Sequence, residues 1–300
     1  MSQNPIQRVV IVGAGGVGGG IAGLLASVGI DVLLVARGPH LAAIQSSGLI
    51  VRTPTETRVH RLVACEHPQW KAGDVALLCV KSQDTVEALQ LIPSGVPVFC
   101  AQNGVENEAI VAGSHTTGAM LVWITAVYLK PGIVDLHHGV GCPGILDLGH
   151  FSGEQNWATF VAEMLVKAGF DCVVRPDIMA WKRAKLLSNL RGISQITDGE
   201  LDRELCDAMV DEGKAVLNAA KQPFTPLDTF MERMSGFQCI PIDGIKRPGG
   251  SLWQSRERGA SSELGWLNGY ICRTGKTLGI PTPVNSRLLA QAGRVVAVTG

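Results

Sequence analysis

The run Arg8-Val-Val-Ile-Val12 meets Gly13-Ala-Gly15-Gly-Val-Gly18 with no linker, and the chain continues into the helix-compatible stretch IAGLLASVG. A buried strand that stops at G-x-G-x-x-G and restarts as a helix constrains the fold more than any other stretch of this sequence. In a βαβ unit of this kind the first glycine makes the turn and the second lets a pyrophosphate approach the backbone. The third allows close contact between helix and strand. The helix N-terminus then presents free N–H groups to the phosphates. Gly13, Ala14, Gly15, Gly16, Val17 and Gly18 are therefore the predicted dinucleotide cradle; the plainer reading is a glycine turn kept for packing.

Three further β-branched, almost continuous apolar runs follow, at 31–35 (DVLLV), 74–80 (DVALLCV) and 96–101 (VPVFCA). Strands buried on both faces have this texture, so a parallel sheet covered by helices is expected. Between Gly118 and Gly149 the pattern changes to short strands with Gly and Pro turns, read as strands extending the same sheet. Beyond residue 177 strand patterning stops, and helical periodicity covers 179–193, 200–220, 226–234 and 262–278. A chain of 300 residues has room for two domains. The predicted fold class is α/β: an N-terminal Rossmann-type dinucleotide-binding domain with added strands over residues 1–176, followed by an all-helical second domain over 177–300, with Pro176 and Asp177 opening its first helix.

The second strand ends Val35-Ala36-Arg37-Gly38, where an NAD enzyme would carry the Asp or Glu that binds the ribose hydroxyls. With no carboxylate there, and a planar guanidinium in its place, Arg37 suits the 2′-phosphate of NADP(H). The alternative is a solvated loop arginine. Ligands of open α/β sheets bind beyond the carboxyl ends of the strands, and two polar residues fall there. Lys81 can meet an anionic group of cofactor or substrate, and Asn103 can donate and accept at the nicotinamide end. A snorkelling strand-end lysine and an Asn-Gly turn are their alternatives.

Lys plus Arg and Asp plus Glu number 26 each, so no net field recruits nucleic acid or an anionic membrane, and a small-molecule partner is the expectation. The opening MSQNPIQ has no leader character, and the longest apolar stretch, 119–129, is shorter than the roughly 20 residues of a membrane span. A cytoplasmic protein follows from this reading. Eight cysteines without a CxxC, and no clustered histidines, read as reduced buried thiols, with neither disulfides nor a metal site.

VGAGGVG, VK at 80–81, QNGV at 102–105, WKRAKLLSN at 181–189, and SLWQ through SSELGWLNG to GIPTPVN across 251–285 together resemble the ketopantoate reductase family. Its members reduce 2-dehydropantoate to pantoate with NADPH, on the route to pantothenate. They have a Rossmann domain followed by a helical one, with the active site in the cleft between. The resemblance implies that Lys185 is the general acid at the carbonyl oxygen and that Asn189 holds the substrate. It further implies that Glu263 bonds a substrate hydroxyl or the cofactor, and that Ser251 helps bind the substrate carboxylate. Asn103 would stand between cofactor and substrate, and Ala126 would be a small residue against the cofactor.

Lys185 and Asn189 are i and i+4 on a predicted helix and share a face, whereas Lys182 and Arg183 read as solvated charges. Ser251 and Glu263 on one straight helix would stand about 18 Å apart, so a break is predicted near Gly259. Ser251 with Gln254 also reads as a capping box. Four features depart from the family pattern: Ile193 in place of a third polar residue on the Lys185 stripe, a shortened run to Asp198-Gly199-Glu200-Leu201, Gly265 in place of an aspartate, and an unusual stretch before Ser251, GFQCIPIDGIKRPGG at 236–250. They leave open a specialised reductase of more apolar 2-oxo acids or imines, and an NADP(H)-binding sensor or scaffold without turnover. The apolar helices of the second domain leave room for a homodimer.

Overall fold

The computed structural model describes residues 5–153, 157–197, 201–245 and 249–299. The chain forms two compact units: Met1–Gln102 with Glu106–Ile178 and Met234–Lys246, and Asn103–Val105 with Met179–Arg233 and Arg247–Gly300.

The first unit carries β1 (Arg8–Val12), β2 (Val32–Val35), β3 (Leu49–Arg52), β4 (Thr57–His60), β5 (Val63–Cys65), β6 (Asp74–Leu78), β7 (Val98–Cys100), β8 (Thr117–Trp123), β9 (Ala126–Val127), β10 (Ile133–Leu136) and β11 (Ile145–Ser152). Its helices are α1 (Gly16–Ser27), α2 (Gly38–Ser47), α3 (Thr85–Leu89), α4 (Asn107–Ala112) and α5 (Trp157–Lys167). The main sheet runs β11-β8-β7-β6-β1-β2-β5, and every pairing in it is parallel except β11 with β8. Strand order reverses at β1, which makes the carboxyl end of β1 the switch point where such sheets bind ligands. Val12 is in register with Val35 and Leu78, so Gly13, Arg37 and Lys81 all leave the same edge.

Only β8 and β11 extend this sheet. The predicted extension is corrected for β9 and β10, which join β3 and β4 in a separate sheet ordered β4-β3-β10-β9. The cause lies in the glycines of α1. Cβ atoms on Gly19, Gly20 and Gly23 would fall 2.8, 2.7 and 2.6 Å from side-chain carbons of Val134, Leu136 and Val51. The bare helix face thus seats the second sheet at backbone distance.

The second unit is helical: α6 (Ile178–Asn189), α7 (Arg203–Ala219), α8 (Leu227–Met234), α9 (Ser251–Glu257), α10 (Asn268–Leu278) and α11 (Pro283–Thr299). Its core gathers Leu186, Leu187, Leu190, Ile193, Met209, Val216 and Ile271. Buried Asn268 and Asn285 are bonded to each other at 2.9 Å and to the carbonyls of Leu190 and Met209. Both carboxylate oxygens of Glu212 accept the first amides of α11, from Val284 at 2.7 Å and Asn285 at 2.9 Å. Sequence periodicity missed α11, although Pro283 at its first position was the available signal.

Helix α6 stops at Asn189 and continues as a 3₁₀ segment, Leu190–Gln195. The predicted stripe is corrected there, because the change of pitch turns Ile193 fully into the core. The thiols are corrected too: all eight cysteines are free, but only Cys100 is buried, and Cys239 is exposed. Asp198, Gly199 and Glu200, and residues 246–248 of the stretch before Ser251, lie outside the described residues. No helix among the described residues is long and apolar enough to cross a membrane.

Candidate active site

Gly13 has φ +104°, and a Cβ there would stand 2.7 Å from the Val80 amide nitrogen. A Cβ on Gly18 would overlap the Gly13 carbonyl oxygen and lie 2.9 Å from Cys79 Cβ. Both positions are closed to any side chain. Gly15 differs, since a Cβ there would meet nothing within 4 Å. Gly15 is the N-cap of α1, and no acidic residue occupies that helix's first turn. Open space beside Gly15 at the start of a helix with no carboxylate in its first turn fits a pyrophosphate. Ala14 is buried, Val17 packs on the core, and Ala126 on β9 lies 3.2 Å from where a Gly16 Cβ would be.

Arg37 precedes α2 in extended conformation, and its Nη1 donates to Glu87 Oε1 on α3 at 3.0 Å. The two side chains are 66% and 67% exposed, so the pair contributes at most about 1 kcal/mol and can yield to a phosphate. Reading the end of β2 alone could not reveal this carboxylate, 50 residues further along the chain.

Lys81 begins the 3₁₀ turn Ser82–Asp84. A buried network that sequence reasoning missed fixes this loop. Gln102 Nε2 donates to the Val80 carbonyl and to Thr85 Oγ1, each at 2.9 Å. Thr85 Oγ1 donates to Asn107 Oδ1 at 2.9 Å, and Asn107 Nδ2 to Ser82 Oγ at 3.0 Å. The available signal was the run of small polar residues after VK, matched by polar residues flanking QNGV.

In the second unit, Lys185 Nζ donates to Asn103 Oδ1 at 2.8 Å. Lys182, expected in solvent, is only 3% exposed; a lysine three residues before Lys185 on α6 shares its face and lies inside. Arg183 turns away and donates to the Pro223 carbonyl at 3.0 Å. Glu263 is buried on the turn Glu263–Trp266. Burial pushes the Lys185 ammonium down from 10.5 to about 7, with the charge of Lys182 adding to the effect and that of Glu263 opposing it. An amine poised near neutrality is suited to donating a proton at physiological pH. Asn189 ends α6 four residues on, half-buried.

Ser251 is exposed at the start of α9, and its predicted cap is corrected. The N-cap is Gly250, and Gln195 Oε1 reaches in to accept from the amides of Gly250 at 2.8 Å and Trp253 at 3.3 Å. The break predicted near Gly259 is present: α9 ends at Glu257, Gly259 has φ +59°, and Glu263 begins a separate turn. Ser251 and Glu263 are therefore not held on one straight helix. Among the described residues no three His, Cys, Asp or Glu side chains gather as a metal site.

A parallel sheet with a glycine cradle at its switch point, joined in one chain to a helical unit holding a half-buried lysine with a pKa lowered to about 7, defines a Rossmann-type oxidoreductase. Comparison with known proteins narrows the class. Residues 9–153 match the family model described as ketopantoate reductase PanE/ApbA, and residues 177–295 match its C-terminal counterpart. This chain belongs to the ketopantoate reductase family, oxidoreductases acting on a C=O/CH–OH pair. The 2-dehydropantoate 2-reductase of Pyrococcus horikoshii is 27% identical, with 95% of this chain and 96% of that one covered. That of Mesorhizobium japonicum is 29% identical, covering 98% and 99%. Among solved structures, a PanE/ApbA family ketopantoate reductase from Ralstonia eutropha is 28% identical with a TM-score of 0.81, covering 97% and 99%. A D-mandelate dehydrogenase in ternary complex with NADH and anilino(oxo)acetate shares the fold, at 22% identity and a TM-score of 0.82, covering 97% and 99%.

Proposed function

We propose that this chain is an NADPH-dependent reductase that converts 2-dehydropantoate to pantoate. When bound, the dinucleotide supplies the hydride that adds to C2 of the substrate. Lys185 gives a proton from Nζ to the carbonyl oxygen as negative charge gathers there, and is left as a neutral amine. The bond to Asn103 Oδ1 holds Nζ in place, and Glu263 keeps enough negative potential nearby for the ammonium to form at neutral pH. In this reading Asn103, Asn189 and Ser251 take the polar groups of the substrate, and Glu263 takes a substrate hydroxyl or a cofactor group. Gly13 to Gly18 hold the pyrophosphate, with Ala126 packed against them. Lys81 meets a cofactor anion, and Arg37 exchanges Glu87 for the 2′-phosphate.

The observation that carries the reading is the half-buried Lys185, held on Asn103 with its pKa lowered to about 7. Relatives at 27% and 29% identity named for this reaction support the substrate, and the NADH held by the D-mandelate dehydrogenase of the same fold supports a nicotinamide cofactor. Of the departures that left a more apolar substrate open, Ile193 lies in the core and lends it no support.

A panel of 2-oxo acids assayed with NADPH and NADH tests the proposal. Ketopantoate with NADPH should give the highest kcat/KM, and Arg37→Ala should reduce the preference for NADPH about 10- to 100-fold. Turnover of bulky 2-oxo acids but not ketopantoate would favour a specialised reductase, and NADPH binding without oxidation would favour a sensor. A preference for NADH unchanged in Arg37→Ala would remove the 2′-phosphate argument.

A further inference from the structure

We infer that His40 is a positioning residue for the cofactor, fixing through the Ala14 carbonyl the direction in which the Gly15 amide points. The inference rests on the reading that a dinucleotide occupies the Gly13–Gly18 turn.

His40 is buried in the first turn of α2, three residues after Arg37. Both ring nitrogens are bonded: the amide of Gly132 donates to Nδ1 at 2.8 Å, and Nε2 lies 2.7 Å from the Ala14 carbonyl oxygen. The ring also packs on Tyr128, with centroids 4.4 Å apart. These contacts determine the tautomer. A nitrogen accepting from a backbone N–H carries no proton, so the proton is on Nε2 and donates to Ala14.

Ala14 is the second residue of the glycine turn, and its carbonyl belongs to the same planar unit as the Gly15 N–H. In a trans peptide, as this one is, the two point in opposite directions. Holding the Ala14 oxygen toward His40 therefore aims the Gly15 N–H the other way. Gly15 is the turn residue whose Cβ position is open to 4 Å, so the amide is set before a phosphate arrives. The Gly132 amide holds the ring from its far side, and the Gly132 carbonyl, in the turn before β10, accepts from the Ile50 amide at 2.8 Å.

Two substitutions separate the two bonds. A glutamine amide lies as far along its side chain as Nε2 and can keep the bond to Ala14 while losing Gly132. An asparagine oxygen lies where Nδ1 does and keeps Gly132 while losing Ala14. NADPH titration by nicotinamide fluorescence, with kcat at saturating cofactor, reads the outcome on the full chain. His40→Asn should raise Kd and KM for NADPH about three- to ten-fold with kcat nearly unchanged, and His40→Gln should restore near-native Kd. Equal effects of the two variants, or native Kd in both, would overturn the role of His40 and leave a histidine that only staples α2 to the 130–132 turn. If His40→Asn does not fold, His40→Phe keeps a ring against Tyr128 and carries the same expectation. Failure of the unsubstituted protein to bind NADPH would instead refute the cofactor reading itself.

Discussion

Gly13 and Gly18 act by having no side chain, because backbone and neighbouring atoms already fill the space a Cβ would need. In the proposed reaction Lys185 depends on what surrounds it: Asn103 from a loop 82 residues earlier, Lys182 from its own helix and Glu263 from a turn near the end of the chain. The first device is steric and local; the second is electrostatic and assembled from distant segments. A substitution in the first should therefore show up mainly in stability or cofactor affinity, and one in the second mainly in rate and pH dependence.

The largest effect expected is that of Lys185→Met. Losing a positioned general acid should lower kcat/KM for ketopantoate reduction about 10²- to 10⁴-fold, with the Kd for NADPH unchanged in a fluorescence titration. The same variant should be more stable than the native chain at low pH. The pKa of Lys185 is about 7 folded against an ordinary 10.5, so unfolding takes up a proton between those values. The half-buried lysine thus opposes folding fully below pH 7, by on the order of a few kcal/mol at most, and the penalty fades as pH rises toward 10.5. The gain in Tm should accordingly be larger at pH 6 than at pH 10.

The glycine turn should split the other way. Gly18→Ala forces a methyl into the Gly13 carbonyl and should lower unfolding stability by about 1 to 3 kcal/mol in denaturant titration. Gly15→Ala, with open space around its Cβ, should keep native stability and lose NADPH affinity instead. A large stability loss in Gly15→Ala would erase the distinction between a packing glycine and a binding one.

Lys182→Met should have the smallest effect and the most specific one. Removing a positive charge beside Lys185 raises the lysine's pKa, so the alkaline fall in reduction rate should move to higher pH while the rate at low pH stays close to native. An unmoved pH profile would reduce Lys182 to a packing residue.

How much could be read from sequence follows the same division. β1, the glycine turn and α1 are specified by nearest neighbours along the chain, and the expected order of strand, turn and helix is what the structure contains. The second sheet was not legible, because its cause is the approach of β3 and β10 to bare glycines on α1, a contact between segments. The break at Gly259 was legible from a residue able to take positive φ, whereas the capping of α9 by Gln195 was not, since 55 residues separate donor from acceptor. Lys182 and Arg183 are adjacent and alike in sequence, yet one is buried and the other bonds a loop carbonyl. Ile193 stood on the lysine stripe only while α6 was taken to continue, and the 3₁₀ turn after Asn189 removed it.

The most direct test of Lys185 as proton donor is the pH dependence of kcat/KM for ketopantoate reduction with NADPH. The protonated amine is the competent form, so the rate should fall as pH rises through about 7. The fall in kcat should lie at higher pH, because a bound carboxylate favours the ammonium. A profile flat to pH 9, or one retained with full activity in Lys185→Met, would contradict the assignment.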